Sequence, residues 1–506
     1  MANKPMIPVV EGIIEEVERI RILVVGKSGV GKTSLIKKIF NVANLNVSHD
    51  RAGVSNIEEE IKSDQNNRFV AHDSEGYEPG EESKFEALQR FIEKRRSEVK
   101  LANKIHVIWR VWKHFRGRVL ETGTEVLLKT LPRDIALIVV FTKYDLLVLS
   151  KEEDILEADP DLEENEEMLV QRCQEKGESD FKILCMDTLE RFTSKSNVSM
   201  PVAVKISSES QYEDTLSELL HITEMEISRL NQCNSEQPTT SENAVEAPAE
   251  SLLAMAQMVD IDKKVELVIK VGRKKYWRGL ASSLHFPGLG LQACLSVLHK
   301  DLVIPWNIND SHQLLLSGDF ESAITQLIES FQKSSDMSDA GKHFSKGIGL
   351  AGTVAGVAGA IAAPVAPIVV PTVFVGVLFA HWVHDIYTST PKTVRCLMLY
   401  ILHLFNLMHG LFSLTQLGQA LQGEINQYPQ GYEVTREDIE YIFEGYKKSE
   451  VFKQICIAVN DFIQRSDVLT YGNKDHVLNK LIELMDKEYK FIPEIRKVPG
   501  TISGTT

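Results

Sequence analysis

An α/β domain built on a mostly parallel sheet with helices on both faces, followed by a mainly α-helical domain, is the fold class this sequence predicts. Three observations predict it. Short apolar runs alternate with amphipathic stretches through the first 231 residues. A polar, proline-containing segment poor in large apolar residues, NQCNSEQPTTSENAVEAPAE, follows at 231–250. Beyond it nearly everything has helical periodicity. The expected boundaries are a lead-in at 1–17, the α/β domain at 18–231 with an acidic helical insertion at about 150–200, and a linker at 232–250. A helical domain at 251–492, with an apolar hairpin at about 346–387, and a flexible tail at 493–506 complete the chain.

In order, the expected strands are IRILVV (20–25), NIEEEI (56–61), RFVAH (68–72), KIHVIWRV (104–111), IALIVVFT (135–142) and VAVKIS (202–207). IALIVVF is apolar on both faces, as a buried parallel strand is. Helices are expected near 32–40, 82–99, 119–130 and 212–230. The stretch KEEDILEADPDLEENEEM breaks this rhythm; it reads as a solvated helical insertion at the sheet's edge, with an acidic docking surface as the alternative.

Composition limits the function classes. A net charge of −15 argues against nucleic-acid binding over the whole surface. Six scattered cysteines without a CxxC pair indicate neither a disulfide framework nor a zinc ribbon. The first twenty residues have neither the apolar run of a signal peptide nor the acid-poor composition of a transit peptide. The expected location is cytoplasmic, with membrane association as a variant.

GKSGVGKT, residues 26–33, stands between the strand RILVV and the helical SLIKKIF and fits G-x-x-x-x-G-K-[ST]. Gly26 and Gly31 let the backbone curl around a phosphate. The N–H groups from Lys27, Ser28, Gly29 and Val30 through Lys32, Thr33 and Ser34, with the helix N-terminus, supply a positive field. Lys32 reaches the β- and γ-phosphates, and the Thr33 hydroxyl suits Mg²⁺. In DSEG, Asp73 ends a strand where its carboxylate holds the same metal, and Gly76 brings a backbone N–H to the γ-phosphate. FTKYD ends another strand: Asp145 accepts from guanine N1 and N2, which adenine cannot match, while Thr142 and Lys143 complete [NT]KxD. In KISSES, Ser207 and Ser208 are small enough for a backbone N–H to meet guanine O6.

These four motifs, in this order and at strand ends, resemble a translation-factor-related P-loop GTPase domain. The similarity is to the Era- and TrmE-like, 50S-ribosome-binding group, and more closely to fungal G-domain proteins with segments like RAGVSNIEEE, HDSEGYEPGEE and YWRGLASS. The resemblance covers residues 18 to 231 and implies binding of GTP or GDP with Mg²⁺. Two departures bear on hydrolysis. No threonine lies between Ser34 and His72, so Ser55, then Ser48, is the hydroxyl left for the first switch's metal contact. Tyr77 replaces the water-orienting glutamine that many such domains place after the glycine, which predicts slow or partner-assisted turnover. Arg51 would stabilise phosphate charge in cis, against the ordinary alternative of a solvated loop arginine.

In the second half, Gly347 to Val383 contains no Asp, Glu, Lys or Arg, which is long enough to span a bilayer. Pro364, Pro367 and Pro371 interrupt it, so a helical hairpin is expected, membrane-inserted or buried in a bundle. GRKKYWRG (272–279) suits lipid headgroups, RNA bases or plain solvation, and His381 with His384 lacks a third metal ligand. The function expected is therefore a guanine-nucleotide-binding protein and slow GTPase, a switch whose helical domain docks on a membrane or a partner. An activating protein or a homodimer would assist it. A nucleotide-gated module without hydrolysis, or a ribosome- or RNA-associated GTPase, is the alternative; net acidity speaks against RNA.

Overall fold

The structure, a computed structural model, describes residues 8–27, 29–42, 57–63, 66–74, 82–113, 134–196, 198–234, 248–275, 291–334, 390–422, 433–465, 474–485 and 489–494. The chain divides into two compact units: Glu11–Leu267 with Gly418–Tyr432, and Met1–Val10 with Val268–Leu417 and Glu433–Thr506.

The first unit is built on strands β1 (Ile20–Val25), β2 (Phe69–Asp73), β3 (Val107–Lys113), β4 (Ala136–Thr142) and β5 (Val202–Lys205). They lie in the order β2-β1-β3-β4-β5, and every pairing is parallel. The described helices here are α1 (Val9–Val17), α2 (Lys32–Phe40), α3 (Glu82–Arg96), α4 (Tyr144–Leu149), α5 (Glu152–Ala158), α6 (Glu166–Phe181), α7 (Asp187–Ser196), α8 (Glu213–Asn234) and α9 (Pro248–Ala256). A π-helical turn, Lys182–Met186, joins α6 to α7.

Both faces of the parallel sheet are covered, as its lack of a polar face requires. On one, Ile36 and Phe40 of α2, Leu219 of α8 and Leu253 of α9 pack with Val24, Trp109 and Val140. On the other, Leu88 and Phe91 of α3 meet Leu23 and Ile108. Leu147 of α4, with Cys173, Phe181 and Leu189 of the insertion helices, packs with Val139 and Phe141 on that second side.

Two expectations are corrected. No strand forms over the described part of 56–61: residues 57–60 turn, and Ile61 alone makes an antiparallel bridge to Ala71. Three successive glutamates pair poorly in a ladder, and Glu60 turns instead to Arg21 at 2.7 Å and Lys62 at 2.6 Å. Secondly, the helix expected to open the helical domain at 251 packs with the sheet, since Ala249, Leu253 and Ala256 join its core. The chain breaks at Gln257, whose side-chain oxygen accepts from the Val259 and Asp260 N–H groups at 2.8 Å. Asp260 then accepts from Lys263 N at 3.0 Å, beside the start of α10 (Ile261–Lys275). The helix expected at 119–130 and the hairpin at 346–387 lie outside the described residues.

The second unit contains α11 (Leu291–Val303), α12 (Gly318–Ser334), α13 (Thr390–Gln422), α14 (Arg436–Lys448), α15 (Glu450–Arg465) and α16 (Lys474–Met485). Among the described residues one stretch, Val394–Gln416 of α13, is long and apolar enough to cross a membrane, and nearly all of it is buried inside the protein. Four of its polar side chains are partnered there. Tyr400 OH lies 2.8 Å from His299 Nδ1, and His403 Nδ1 lies 2.8 Å from Tyr446 OH. Asn406 accepts from Phe491 N at 2.8 Å, and His409 Nδ1 meets Phe491 O at 2.9 Å. A helix apolar all round that carries one satisfied polar seam fits the centre of a bundle.

Candidate functional site: a phosphate loop and two adjoining turns

The loop between β1 and α2 lies at the carboxyl end of the sheet, where open α/β folds bind ligands. Helix α2 starts as Leu35 N donates to Gly31 O at 2.9 Å. At Gly26 a Cβ would stand 2.6 Å from the Val111 carbonyl, a clash only glycine avoids. Lys32 is buried and folds its ammonium onto the loop, donating to Gly26 O at 2.9 Å and Lys27 O at 3.0 Å. Its Nζ also lies 3.5 Å from Asp73 Oδ1. An anionic phosphate offers this ammonium stronger acceptors than two carbonyls do. Thr33 and Ser34 are exposed in the first turn of α2, while Val30 is buried and Gly29 exposed. Thr33 and Asp73 are hard oxygen donors, the class Mg²⁺ takes, so this chemistry fits that metal.

Thr142 serves the loop rather than a base. Its buried hydroxyl donates to Val30 O at 2.6 Å and has Trp112 O at 3.1 Å, tying the phosphate loop to the ends of β3 and β4. Lys143 follows with φ 61 and ψ 40, a left-handed conformation uncommon outside glycine. That turn starts α4 and brings Asp145 to Ser207, whose Oγ donates to Asp145 Oδ1 at 2.6 Å. Backbone bonds stitch the same two turns: Tyr144 N donates to Ile206 O at 3.1 Å and Ile206 N to Phe141 O at 2.7 Å. Ser207 N donates to Thr215 Oγ1 at 3.2 Å, so it is the Ser207 hydroxyl that faces Asp145. Ser208 is exposed beside it.

The strand carrying Asp73 is positioned by a buried polar cluster. Arg21 Nη1 donates to Glu60 Oε1 at 2.7 Å and to His72 Nε2 at 2.6 Å. With Nε2 accepting, His72 Nδ1–H donates to Ile57 O at 2.8 Å. Burial, with the charges of Arg21 and Arg95 adding to it, pushes His72 down to about 4, so the neutral tautomer holds at neutral pH. Burial alone would raise Glu60, but the hydrogen bond from Lys62 and the Arg21 guanidinium bring it down to about 2. Ser28, Arg51, Ser55, Gly76 and Tyr77 lie outside the described residues.

Sequence reasoning missed the Ser207 hydroxyl, the Arg21–His72–Glu60 cluster and a buried Cys456–His403 pair. Cys456 Sγ lies 3.8 Å from His403 Nε2. It is no nucleophile–base pair: burial pushes the thiol up to about 12 and the imidazole down to about 3, so both stay neutral. Among the described residues no group of three His, Cys, Asp or Glu side chains could hold a metal ion.

Residues 314–497 match a domain of unknown function (DUF8505). No curated protein matches the chain in sequence. Among solved structures, a GMPPNP-bound mutant of S. thermophilus NFeoB is similar at 14% identity, over 62% of this chain and 91% of that chain, with a TM-score of 0.23. Residues 21–143 match the family described as 50S ribosome-binding GTPase, and the parallel five-stranded sheet with its phosphate loop has the fold of a P-loop G domain.

Proposed function

We propose that the protein binds GTP and GDP with Mg²⁺ at this site and hydrolyses GTP slowly, as a switch. The observation that carries the reading is Asp145, held by Ser207 at the end of the TKYD turn. A carboxylate there accepts two hydrogen bonds from guanine N1–H and N2–H and meets the adenine amidine edge with a mismatch. Ser208 presents its backbone N–H to guanine O6. The phosphate loop cradles the β- and γ-phosphates; Lys32 leaves its carbonyl partners for them, and Gly76 meets the γ-phosphate. Thr33 and Asp73, with Ser55 from the first switch, would hold the metal, which would neutralise charge on the bound phosphates.

Water attacks the γ-phosphorus in line; the new O–P bond forms as the bond to the β,γ-bridging oxygen breaks. GDP leaves with that electron pair, and the water's protons pass to phosphate and solvent. Backbone N–H groups and Lys32 stabilise the charge that develops, with Arg51 as an added cation. Tyr77 cannot orient water as a carboxamide does, which supports slow or partner-assisted turnover. The same residue favours a second reading, a nucleotide-gated module that scarcely turns over. The helical half is the docking part, on a membrane or a protein partner, through 346–387.

Calorimetry with GDP, GTP and ATP tests binding: guanine nucleotides bind, ATP does not, and Lys32→Ala loses the affinity. Tight binding retained in Lys32→Ala would reject the phosphate-loop assignment. Asp145→Asn should shift preference toward xanthine nucleotides. Single-turnover hydrolysis of GTP by the full chain separates the slow enzyme from the non-hydrolysing module.

A further inference from the structure

One turn of the acidic insertion, residues 177–181 of α6, reaches both the TKYD and the KISSES turn at once. Gly177 lies so close to α4 that a Cβ would stand 2.8 Å from Val148 Cγ2. The next residue, Glu178, accepts from the Tyr144 hydroxyl at 3.0 Å and pairs with the Lys205 ammonium. Tyr144 is the neighbour of Asp145, and Lys205 stands two residues before Ser207. Phe181 closes the group: its ring is 5.4 Å from Phe141 and 6.1 Å from Tyr144, both edge-on. The Lys205 ammonium sits 4.6 Å from the Tyr144 ring centre and 5.5 Å from that of Phe181. Burial, with Tyr212 alongside, raises the Tyr144 phenol, which keeps its hydroxyl a donor.

We propose that the insertion is a clasp on the guanine-recognition turns, with Tyr144 and Glu178 as positioning residues that set base selectivity and the retention of GDP. The proposal rests on the guanine-nucleotide reading above. Its physical ground is that neither residue lies in the phosphate loop, while both are bonded to the turns that carry Asp145 and Ser207. Loosening the clasp lets the TKYD turn sample conformations in which Asp145 no longer meets N1 and N2. Contacts to phosphate, made at the other end of the site, are untouched.

The test is release of a ribose-labelled fluorescent GDP from the full chain, with competition by GDP and by inosine diphosphate, which lacks the 2-amino group. Tyr144→Phe and Glu178→Ala should each release GDP about tenfold faster, the scale of a lost hydrogen bond to a charged group. The preference for GDP over inosine diphosphate should fall in both. The double variant should be no faster than Glu178→Ala alone, because that change already removes the Tyr144 bond along with the Lys205 pair. Glu178→Gln keeps an oxygen that accepts from Tyr144 and should stay close to the parent protein. Variants that melt at lower temperature yet release GDP at the parent rate, with the parent selectivity, would overturn the clasp. A parent protein that binds neither nucleotide would instead overturn the guanine reading, and the clasp with it.

Discussion

Ser207 Oγ donates to Asp145 Oδ1 at 2.6 Å, and a carboxylate already fixed in position loses less freedom when a base arrives. Ser207→Ala should therefore weaken GDP binding by about 1 kcal/mol, roughly fivefold, as the loss of one hydrogen bond does. Titration calorimetry of that variant checks it; an unchanged affinity would leave Asp145 independent of its neighbour. Thr142→Val keeps the shape and removes the tie to Val30 O, so it should weaken GTP and GDP alike by about 1 kcal/mol. Much of this site was legible as letters: GKSGVGKT and TKYD carry their chemistry in spacing that strand–loop–helix geometry imposes. What was not legible was division of labour within the motifs. Thr142 belongs to the phosphate loop and Ser207 to Asp145, since each bond joins residues distant in sequence and depends on where two strands end.

At the scale of elements, the strands apolar on both faces were readable, because a buried parallel strand has no polar side to disguise it. The run 56–61 misled because its alternation is carried by glutamates whose charges find Arg21 and Lys62 rather than a ladder. Helix α9 was assigned past the linker on composition, yet its small residues suit close packing under the sheet. Capping is a local signal that survives such errors. Thr435 accepts from Asp438 N at 3.3 Å, and Asp438 accepts in return from Thr435 N at 2.9 Å, a complete capping box at the start of α14. Thr435→Ala should cost about 1 kcal/mol of stability in the helical unit. Urea unfolding followed by circular dichroism reads this out, and a midpoint equal to the parent's would show the box to be dispensable.

Across the whole molecule, buried imidazoles set the response to acid. Burial first of all lowers His72, His106 and His299 to about 4 and His403 to about 3, from an ordinary value near 6.5. Each stays neutral when folded and takes a proton more readily when unfolded. Their stabilisation is full above pH about 6.5 and is lost as pH falls toward 4. Glu60, brought down to about 2, adds a loss below about 4.5. Glu321, raised by burial to about 7, opposes them, since its folded form holds a proton that the unfolded form gives up between about 4.5 and 7. Four imidazoles and Glu60 against one carboxyl predict a melting temperature that falls steadily from pH 6.5 to 4; a flat profile there would contradict the burial of these rings. Helix α13 extends the reasoning to synthesis. Asn406 and His409 also bond to Phe491, 85 and 82 residues later in the chain. A ribosome therefore releases the one described helix that is long and apolar enough to cross a membrane well before the segment that completes its polar seam exists. Through that interval the nascent chain displays a stretch that hydropathy alone would send to a bilayer.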